Sequence, residues 1–187
     1  WDVPEPTTLV AGWNRNQREA TFPTKVKVVW TLTGVSFGFH CPEPSPESLV
    51  SKSTVRDNVS WFDDNVEIFL DVSTRNSGNF YQYIINANPT VWDARHGNTA
   101  WNTKGMQVAS HKGKDFWSLE VFLPYAAFED MVKPHTGVKW YGQFTRHRVS
   151  NSKRRDKTNP KEYQRLRFKF GGPSANTGDF GLIKFVE

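Results

Sequence analysis

A chain of 187 residues with 37% hydrophobic and 14% aromatic residues has the size and composition of one folded domain. Its single cysteine, Cys41, excludes an internal disulfide, and no apolar run reaches the roughly 18 residues of a membrane span. The net charge is +5, but residues 146–169 carry ten Lys or Arg and two acids, so their charge of +8 leaves −3 elsewhere.

The predicted elements are nearly all strands. We expect residues 1–24, which are polar and rich in Pro and Thr, to form an irregular cover over one sheet edge. Period-two alternation predicts strands at residues 25–32, 35–41, 66–72, 80–87, 116–123, 140–149, 163–170 and 180–186. Only residues 125–133, opened by Pro124, predict a helix. The pattern indicates one all-β domain over residues 1–187, an antiparallel β-sandwich of jelly-roll or immunoglobulin-like type with one short helix.

The basic segment within residues 146–169 has two interpretations. Charge runs are most often solvated loops between strands. Alternatively, the segment forms a basic rim at which Arg146 or Arg148 accepts an acidic ligand such as a uronic or sulfated glycan. The segment lacks the aromatic and basic spacing of an RNA-binding signature and any recognition-helix pattern, so we expect no nucleic-acid partner.

The acidic residues give little support for catalysis. Glu67 and Asp71 share a strand face, but residues i and i+4 of a strand lie roughly 13 Å apart. Glycosidase carboxylates are separated by about 5–9.5 Å. Glu67 with Glu120 of another strand remains an alternative pair. The five histidines show no metal-ligand spacing, so we expect no metal site built on histidines and no required cofactor.

Polar residues on strand faces point toward sugar binding. Glu67, Gln82, Asn86 and Glu120 each interrupt an aromatic-rich face, while the opposite face of the same strand is apolar. Sugar hydroxyls require hydrogen-bond donors and acceptors, and the C–H faces of a sugar ring stack on aromatic surface. An ordinary solvated sheet face is equally compatible with this pattern.

The run WFDDNVEIFLD at residues 61–71 resembles family 9 carbohydrate-binding modules and their wider bacterial relatives, which are attached to xylanases and other polysaccharide-degrading enzymes. Weaker matches follow in the same order over residues 24–187: KVKVVW, FYQYIIN, WD at 92–93, WN at 101–102, WSLE with PY, and FGLI. The resemblance implies a β-sandwich that binds sugar between aromatic residues without catalysis.

The resemblance also implies roles for individual residues. Trp61 matches a stacking tryptophan, and Glu67 and Gln82 match residues that hydrogen-bond sugar hydroxyls. A family arginine is replaced by Ile84, and the second stacking tryptophan has no counterpart in SANT at residues 174–177. Trp92 and Trp101 are candidates to replace it. Family members also hold structural calcium, for which Asp63, Asp64 and Asp93 are candidate oxygen donors.

The sequence therefore predicts a non-catalytic carbohydrate-binding domain. The expected site residues are Trp61, Glu67, Gln82, Trp92, Trp101 and Arg146. The expected partner is an oligo- or polysaccharide, neutral or acidic, and we expect an extracellular or periplasmic module tethered to a catalytic domain. The alternatives are a docking module without sugar affinity and a glycoside-active enzyme using Glu67 and Glu120. A haem-binding relative of the same sandwich class would need a Met/His ligand pair, for which the sequence gives no clear candidate.

Overall fold

A computed structural model of the chain describes residues 5–12, 17–58, 61–149, 161–166 and 175–186. These residues form strands and three 3₁₀ turns, with no α-helix among them. The strands are β1 (Thr7–Thr8), β2 (Val10–Ala11), β3 (Lys25–Trp30), β4 (Gly34–Pro42), β5 (Asn65–Asp71), β6 (Tyr81–Asn86), β7 (Val91–Arg95), β8 (Gln107–Lys112), β9 (Phe116–Pro124), β10 (Lys139–Arg148), β11 (Glu162–Arg165) and β12 (Gly181–Lys184).

The strands build two antiparallel sheets, which confirms the predicted β-sandwich. A five-stranded sheet has the order β1-β3-β4-β9-β8. A seven-stranded sheet has the order β2-β11-β10-β5-β6-β7, and β12 pairs with β10 beside β11. The apolar faces of the two sheets enclose one core, in which Trp117 and Trp140 are fully buried. The alternation of β4, β5 and β9 follows from this packing, because successive residues of a strand point to opposite faces.

The helix predicted at residues 125–133 is wrong. Only Tyr125–Ala127 forms a 3₁₀ turn. The following backbone amides bond to other parts of the fold: Glu129 N–H donates to the Tyr81 hydroxyl, and Val132 N–H donates to the Val72 carbonyl. Because these donors are already used, an i→i−4 helical ladder does not form.

Within the described residues, no helix has the length and apolar character required to cross a membrane.

Some strand predictions also need correction. The predicted irregular cover at residues 1–24 contains β1, which pairs with β3, and β2, which pairs with β11, so it contacts both sheets. The alternation analysis missed β7 and β8. Leu32, predicted on the apolar face of the first long strand, is 87% exposed in the turn before β4.

A charged cluster lies inside the sandwich at one end of β10. Arg146 and Arg148 both have fully buried side chains, as does their partner Glu43. Arg148 donates two 2.7 Å hydrogen bonds to the Glu43 carboxylate, and Arg146 donates to the same carboxylate at 3.4 Å and to the Pro42 carbonyl at 3.0 Å. The expectation that Arg146 or Arg148 contacts an acidic ligand is therefore wrong. The most basic stretch, residues 150–160, lies outside the described residues.

The buried Glu43 carboxylate predicts a large loss of stability on its removal. Glu43→Ala leaves two buried guanidinium groups without their shared carboxylate, and we expect a loss of about 3–5 kcal/mol in the free energy of unfolding. Urea denaturation measures this loss. The control is Glu129→Ala, since Glu129 pairs with Arg95 at 2.7 Å but is 60% exposed, so its loss should stay below about 1 kcal/mol. Equal losses in the two variants would contradict the assigned role.

Candidate functional site

One row of outward-facing residues crosses the seven-stranded sheet. The pairings join Trp92 to Ile84, Ile84 to Glu67, Glu67 to Thr145, and Thr145 to Arg165. Paired residues of an antiparallel sheet project from the same face. Since the flanking Val66 and Ile68 are buried in the core, Glu67 projects from the opposite, outer face of this sheet. The row therefore brings two of the predicted site residues, Trp92 and Glu67, to one surface.

Trp61 lies beside Trp92 at this surface. Trp61 is 50% exposed, and the ring centroids of the two tryptophans are 5.9 Å apart with an angle of 59° between their planes. The ring of His147 on β10 also projects from this face and packs edge-on against the ring of Tyr163. The contact between the Trp61 and Trp92 rings holds the segment that precedes β5 against the sheet.

The two tryptophans form a one-sided platform, not a clamp. A sugar ring between two aromatic faces needs about 7–8 Å between them, because each stacking contact spans about 3.5–4.0 Å. Trp61 and Trp92 are closer than this and tilted, so they pack on each other. Trp92 therefore extends the aromatic surface of Trp61.

Glu67 has an unusual environment for a carboxyl group. It is 6% exposed, and among the described residues its side chain has no hydrogen-bond partner. Burial raises the pKa of Glu67 to about 7, against the opposing charge of Arg165. Arg165 is itself buried and lies 3.7 Å from the Asp179 carboxylate. A buried carboxylate that no internal donor satisfies is suited to accept hydrogen bonds from a ligand.

Gln82 lies diagonally across from Glu67. It is paired with Phe69, two residues along β5, which places its Cα roughly 7–8 Å from that of Glu67. The part of the face beyond Phe69 is closed by aromatic packing, since Phe69, Phe80 and Phe180 have ring centroids 5.7–6.2 Å apart. The other end of this face carries Trp61, Trp92, Glu67 and Gln82, and of these Trp61 is the most exposed while Glu67 is buried.

Trp101 is not part of this surface. Its ring packs 5.2 Å from the ring of Tyr81, which points into the sandwich. Arg146, buried with Glu43, is also absent from it. Of the six residues predicted from the sequence, the structure brings four together. It adds His147 and Arg165, which sequence reasoning missed because both lie within the basic segment and no motif marks them.

The three candidate calcium donors each accept hydrogen bonds from the protein. Asp63 accepts from Ser53 N–H and the Asn86 amide, and Asp64 accepts from two backbone amides. Asp93 accepts from Thr103 and Arg56. Within the described ranges, no three His, Cys, Asp or Glu side chains form a cluster that fits a metal ion. These carboxylates stabilise the loops that surround the Trp61 platform.

The proposed pair of catalytic acids is separated by the whole sandwich. Glu120 lies on the outer face of the five-stranded sheet, between the buried Leu119 and Val121. Glu67 lies on the outer face of the other sheet. Packed sheets are about 10 Å apart, and these side chains point away from each other, so their separation exceeds the 5–9.5 Å of glycosidase acids. The alternative of a glycosidase that uses Glu67 and Glu120 is wrong.

The raised pKa of Glu67 predicts a pH-dependent stability difference. The ordinary pKa of a glutamate side chain is 4.5, and that of Glu67 in the folded chain is about 7. Between these two pH values the folded chain retains a proton on Glu67 that the unfolded chain releases. Stability from this group is present below that window and is lost as the pH rises through it, by up to about 3 kcal/mol. Glu67→Gln does not titrate, so its stability relative to the native chain should increase between pH 4.5 and 7.5.

Urea denaturation at several pH values measures this difference. Glu129→Gln is the matched control, because Glu129 is exposed and its replacement should leave the pH dependence unchanged. Parallel pH curves for Glu67→Gln and the native chain would contradict the environment assigned to Glu67.

Solved structures of low sequence identity share this fold. A family 9 carbohydrate-binding module from Caldicellulosiruptor kristjanssonii in complex with cellotriose superposes with a TM-score of 0.68 at 16% identity, covering 97% of this chain and 83% of that chain. A family 9 module from the same organism in complex with glucose gives 0.67 at 17% identity, covering 96% and 83%. A candidate carbohydrate-binding protein from Bacteroides uniformis ATCC 8492 gives 0.64 at 14% identity, covering 95% and 84%.

No protein-family model matches the chain, and no curated protein matches it. The likeness is therefore one of structure, and it confirms at the level of the fold the resemblance carried by residues 61–71. The chain has the β-sandwich fold of family 9 carbohydrate-binding modules.

Proposed function

We propose that the chain is a non-catalytic carbohydrate-binding module whose ligand lies on the outer face of the seven-stranded sheet. The observation that carries this proposal is Glu67, a carboxyl group that is 94% buried, has no hydrogen-bond partner among the described residues and lies beside an exposed tryptophan platform. Burial of this carboxylate costs free energy, and the charge of Arg165 offsets that cost only in part.

The platform supplies apolar contact for a sugar ring. The exposed half of Trp61 offers an aromatic face, and Trp92 widens it. Ile84, which lies between Trp92 and Glu67 in the row, is buried and takes the place of the arginine that the family resemblance implies. Stacking on these groups removes the C–H face of the sugar from water, which stabilises the complex without dependence on sugar charge.

Glu67 and Gln82 orient the sugar ring through hydrogen bonds to its hydroxyl groups. A carboxylate accepts hydrogen bonds from sugar hydroxyls, and an amide both donates and accepts. Because Glu67 has already lost most of its hydration on folding, a ligand hydroxyl restores a hydrogen bond at little further desolvation cost. The two side chains project from neighbouring strands, and this fixed spacing favours one orientation of the ring.

The Trp61 and Trp92 platform contacts a ligand from one side only. A sugar bound on this platform stacks through one face, and its other face remains in water. We therefore propose weaker binding than a two-sided site would give. The two Caldicellulosiruptor neighbours were solved with cellotriose and with glucose, which makes glucose-containing saccharides the first ligands to test.

We also propose the setting in which the module acts. The modules that residues 61–71 resemble are attached to polysaccharide-degrading enzymes, and this resemblance supports an extracellular or periplasmic module tethered to a catalytic domain. Sequencing the gene on both sides of this segment tests that setting. A cytosolic parent protein without a polysaccharide-degrading domain would contradict it.

Titration calorimetry of the chain against glucose, cellotriose and a panel of other oligosaccharides tests the binding proposal. We expect binding that Trp61→Ala weakens at least tenfold, because the stacking surface is lost. Trp101→Ala is the control, since Trp101 packs against Tyr81 away from the platform and its removal should leave affinity unchanged. Thermal unfolding of both variants verifies that they fold.

Two outcomes would overturn the proposal. Unchanged affinity in Trp61→Ala would remove the platform from the site. Absence of binding to every saccharide in the panel would favour the docking alternative, in which the exposed Trp61 and Phe62 contact another domain.

A further inference from the structure

The five-stranded sheet carries a groove on its outer face, on the opposite side of the molecule from the Trp61 platform. The register aligns Lys27 of β3, Gly38 of β4 and Glu120 of β9 in one row. Neighbouring strands lie about 4.8 Å apart, so the backbones of Lys27 and Glu120 are about 10 Å apart. Only the glycine stands between them, and the space above it is a groove.

The groove is open and of ligand size. A Cβ atom placed on Gly38 would meet nothing within 4 Å. The cavity has a volume of about 350 Å³, which lies within the range of about 300–1,000 Å³ found for small-molecule sites. A second hollow of about 260 Å³ lies on the other side of Glu120. The main cavity is lined by Pro6, Lys25, Lys27, Gly38, Phe39, His40, Ser118, Leu119 and Glu120.

The side chains around the groove have complementary binding chemistry. Lys25 and Lys27 project from the same face of β3, and each ammonium group can donate three hydrogen bonds. Across the glycine, the Glu120 carboxylate and the Ser118 hydroxyl offer acceptors. In the part of the chain that the structure describes, Lys25, Lys27 and Glu120 form no ion pair, although the long lysine and glutamate side chains face each other across an empty position.

An aromatic ring borders the same face. Phe116 is half-buried and lies two residues before Ser118 on the same face of β9. Its ring centroid is 4.7 Å from that of His40 and 6.0 Å from that of His111. The groove thus brings together two cations, a carboxylate, a hydroxyl and the His40 imidazole, and the Phe116 ring packs against His40 at its border. Cations bind a carboxylate or sulfate, the carboxylate and hydroxyl bind sugar hydroxyls, and the aromatic edge contacts the C–H groups of a sugar.

We propose that this groove is a second saccharide site, which takes sugars that carry an anionic group. Lys25 and Lys27 bind the carboxylate or sulfate of the sugar, and Glu120 and Ser118 bind hydroxyls of the same or the adjacent ring. The site is independent of the Trp61 platform, because the two lie on opposite outer faces of the sandwich. Arg146 and Arg148 take no part in this site, because both are buried with Glu43.

Gly38→Val tests the groove directly. The new side chain enters open space, and Gly38 has no positive φ, so the strand should accept a β-branched residue that favours β-structure. The filled groove should bind at least tenfold more weakly. Titration calorimetry uses trigalacturonate as the carboxylated probe, a carrageenan tetrasaccharide as the sulfated probe and cellotriose as the neutral control. The stronger of the two anionic probes identifies the anionic group.

A charge-matched pair of variants tests the two lysines. The double variant Lys25→Gln/Lys27→Gln should weaken binding of the anionic probe at least tenfold and reduce its dependence on salt. The double variant Lys139→Gln/Lys184→Gln has the same change in net charge, but its sites lie on paired positions of β10 and β12 in the other sheet. We expect it to retain the affinity of the native chain.

The outcomes separate this proposal from the function proposed above. Trp61→Ala should retain anionic binding, and Gly38→Val should retain any cellotriose binding. Failure of both anionic probes to bind the native chain would overturn the second site. Loss of anionic binding in Trp61→Ala, or an equal loss in both lysine double variants, would overturn it as well. If an anionic probe binds and cellotriose does not, the result supports the groove as a site and contradicts the site at the Trp61 platform.

Discussion

The register of β10 is the constraint on which the candidate site depends. Arg146 and Arg148 point into the sandwich, where the Glu43 carboxylate receives hydrogen bonds from both guanidinium groups. Because side chains alternate along a strand, Thr145 and His147 then point outward. A shift of one residue would bury His147 and expose both arginines without their partner, at a high cost in free energy. The buried charge cluster therefore fixes which residues of β10 and β5 lie on the outer face of the sheet.

The outer face that this register creates is divided into two parts. Phe69, Phe80 and Phe180 pack together and close one part. The other part carries Glu67 and Gln82 on the strands next to the Trp61 and Trp92 rings, which pack on each other. Carboxyl burial, which costs stability, and aromatic exposure, which leaves apolar surface in water, occur here together. Each is unfavourable for an isolated domain, and the ligand proposed for this face would contact both groups.

Much of the fold could be predicted from alternation alone, and the limits of that prediction have physical causes. Long strands such as β5 and β9 show clear period-two patterns because one face is core and the other is not. The pattern failed for β8, whose residues are mostly exposed, and for β7, which follows a short turn in a segment rich in polar residues. It also favoured a helix after Pro124, where tertiary hydrogen bonds from Glu129 and Val132 prevent one. Local patterns carry no information about such distant partners.

The candidate site shows the same division. The sequence by itself determined the sandwich class, the Trp61 to Asp71 motif and the placement of Glu67 opposite Val66 and Ile68, since these depend on neighbouring residues along one strand. Only the tertiary structure decided that Trp92 joins Trp61 while Trp101 packs on Tyr81, and that Arg146 is buried. Glu43, the partner that neutralises Arg148, lies 105 residues away along the chain. Gly38 opens the groove of the five-stranded sheet only because Lys27 and Glu120 lie beside it on the adjacent strands. Burial of a charge and the shape of a surface are properties of the packed sheets, and the linear sequence cannot specify them locally.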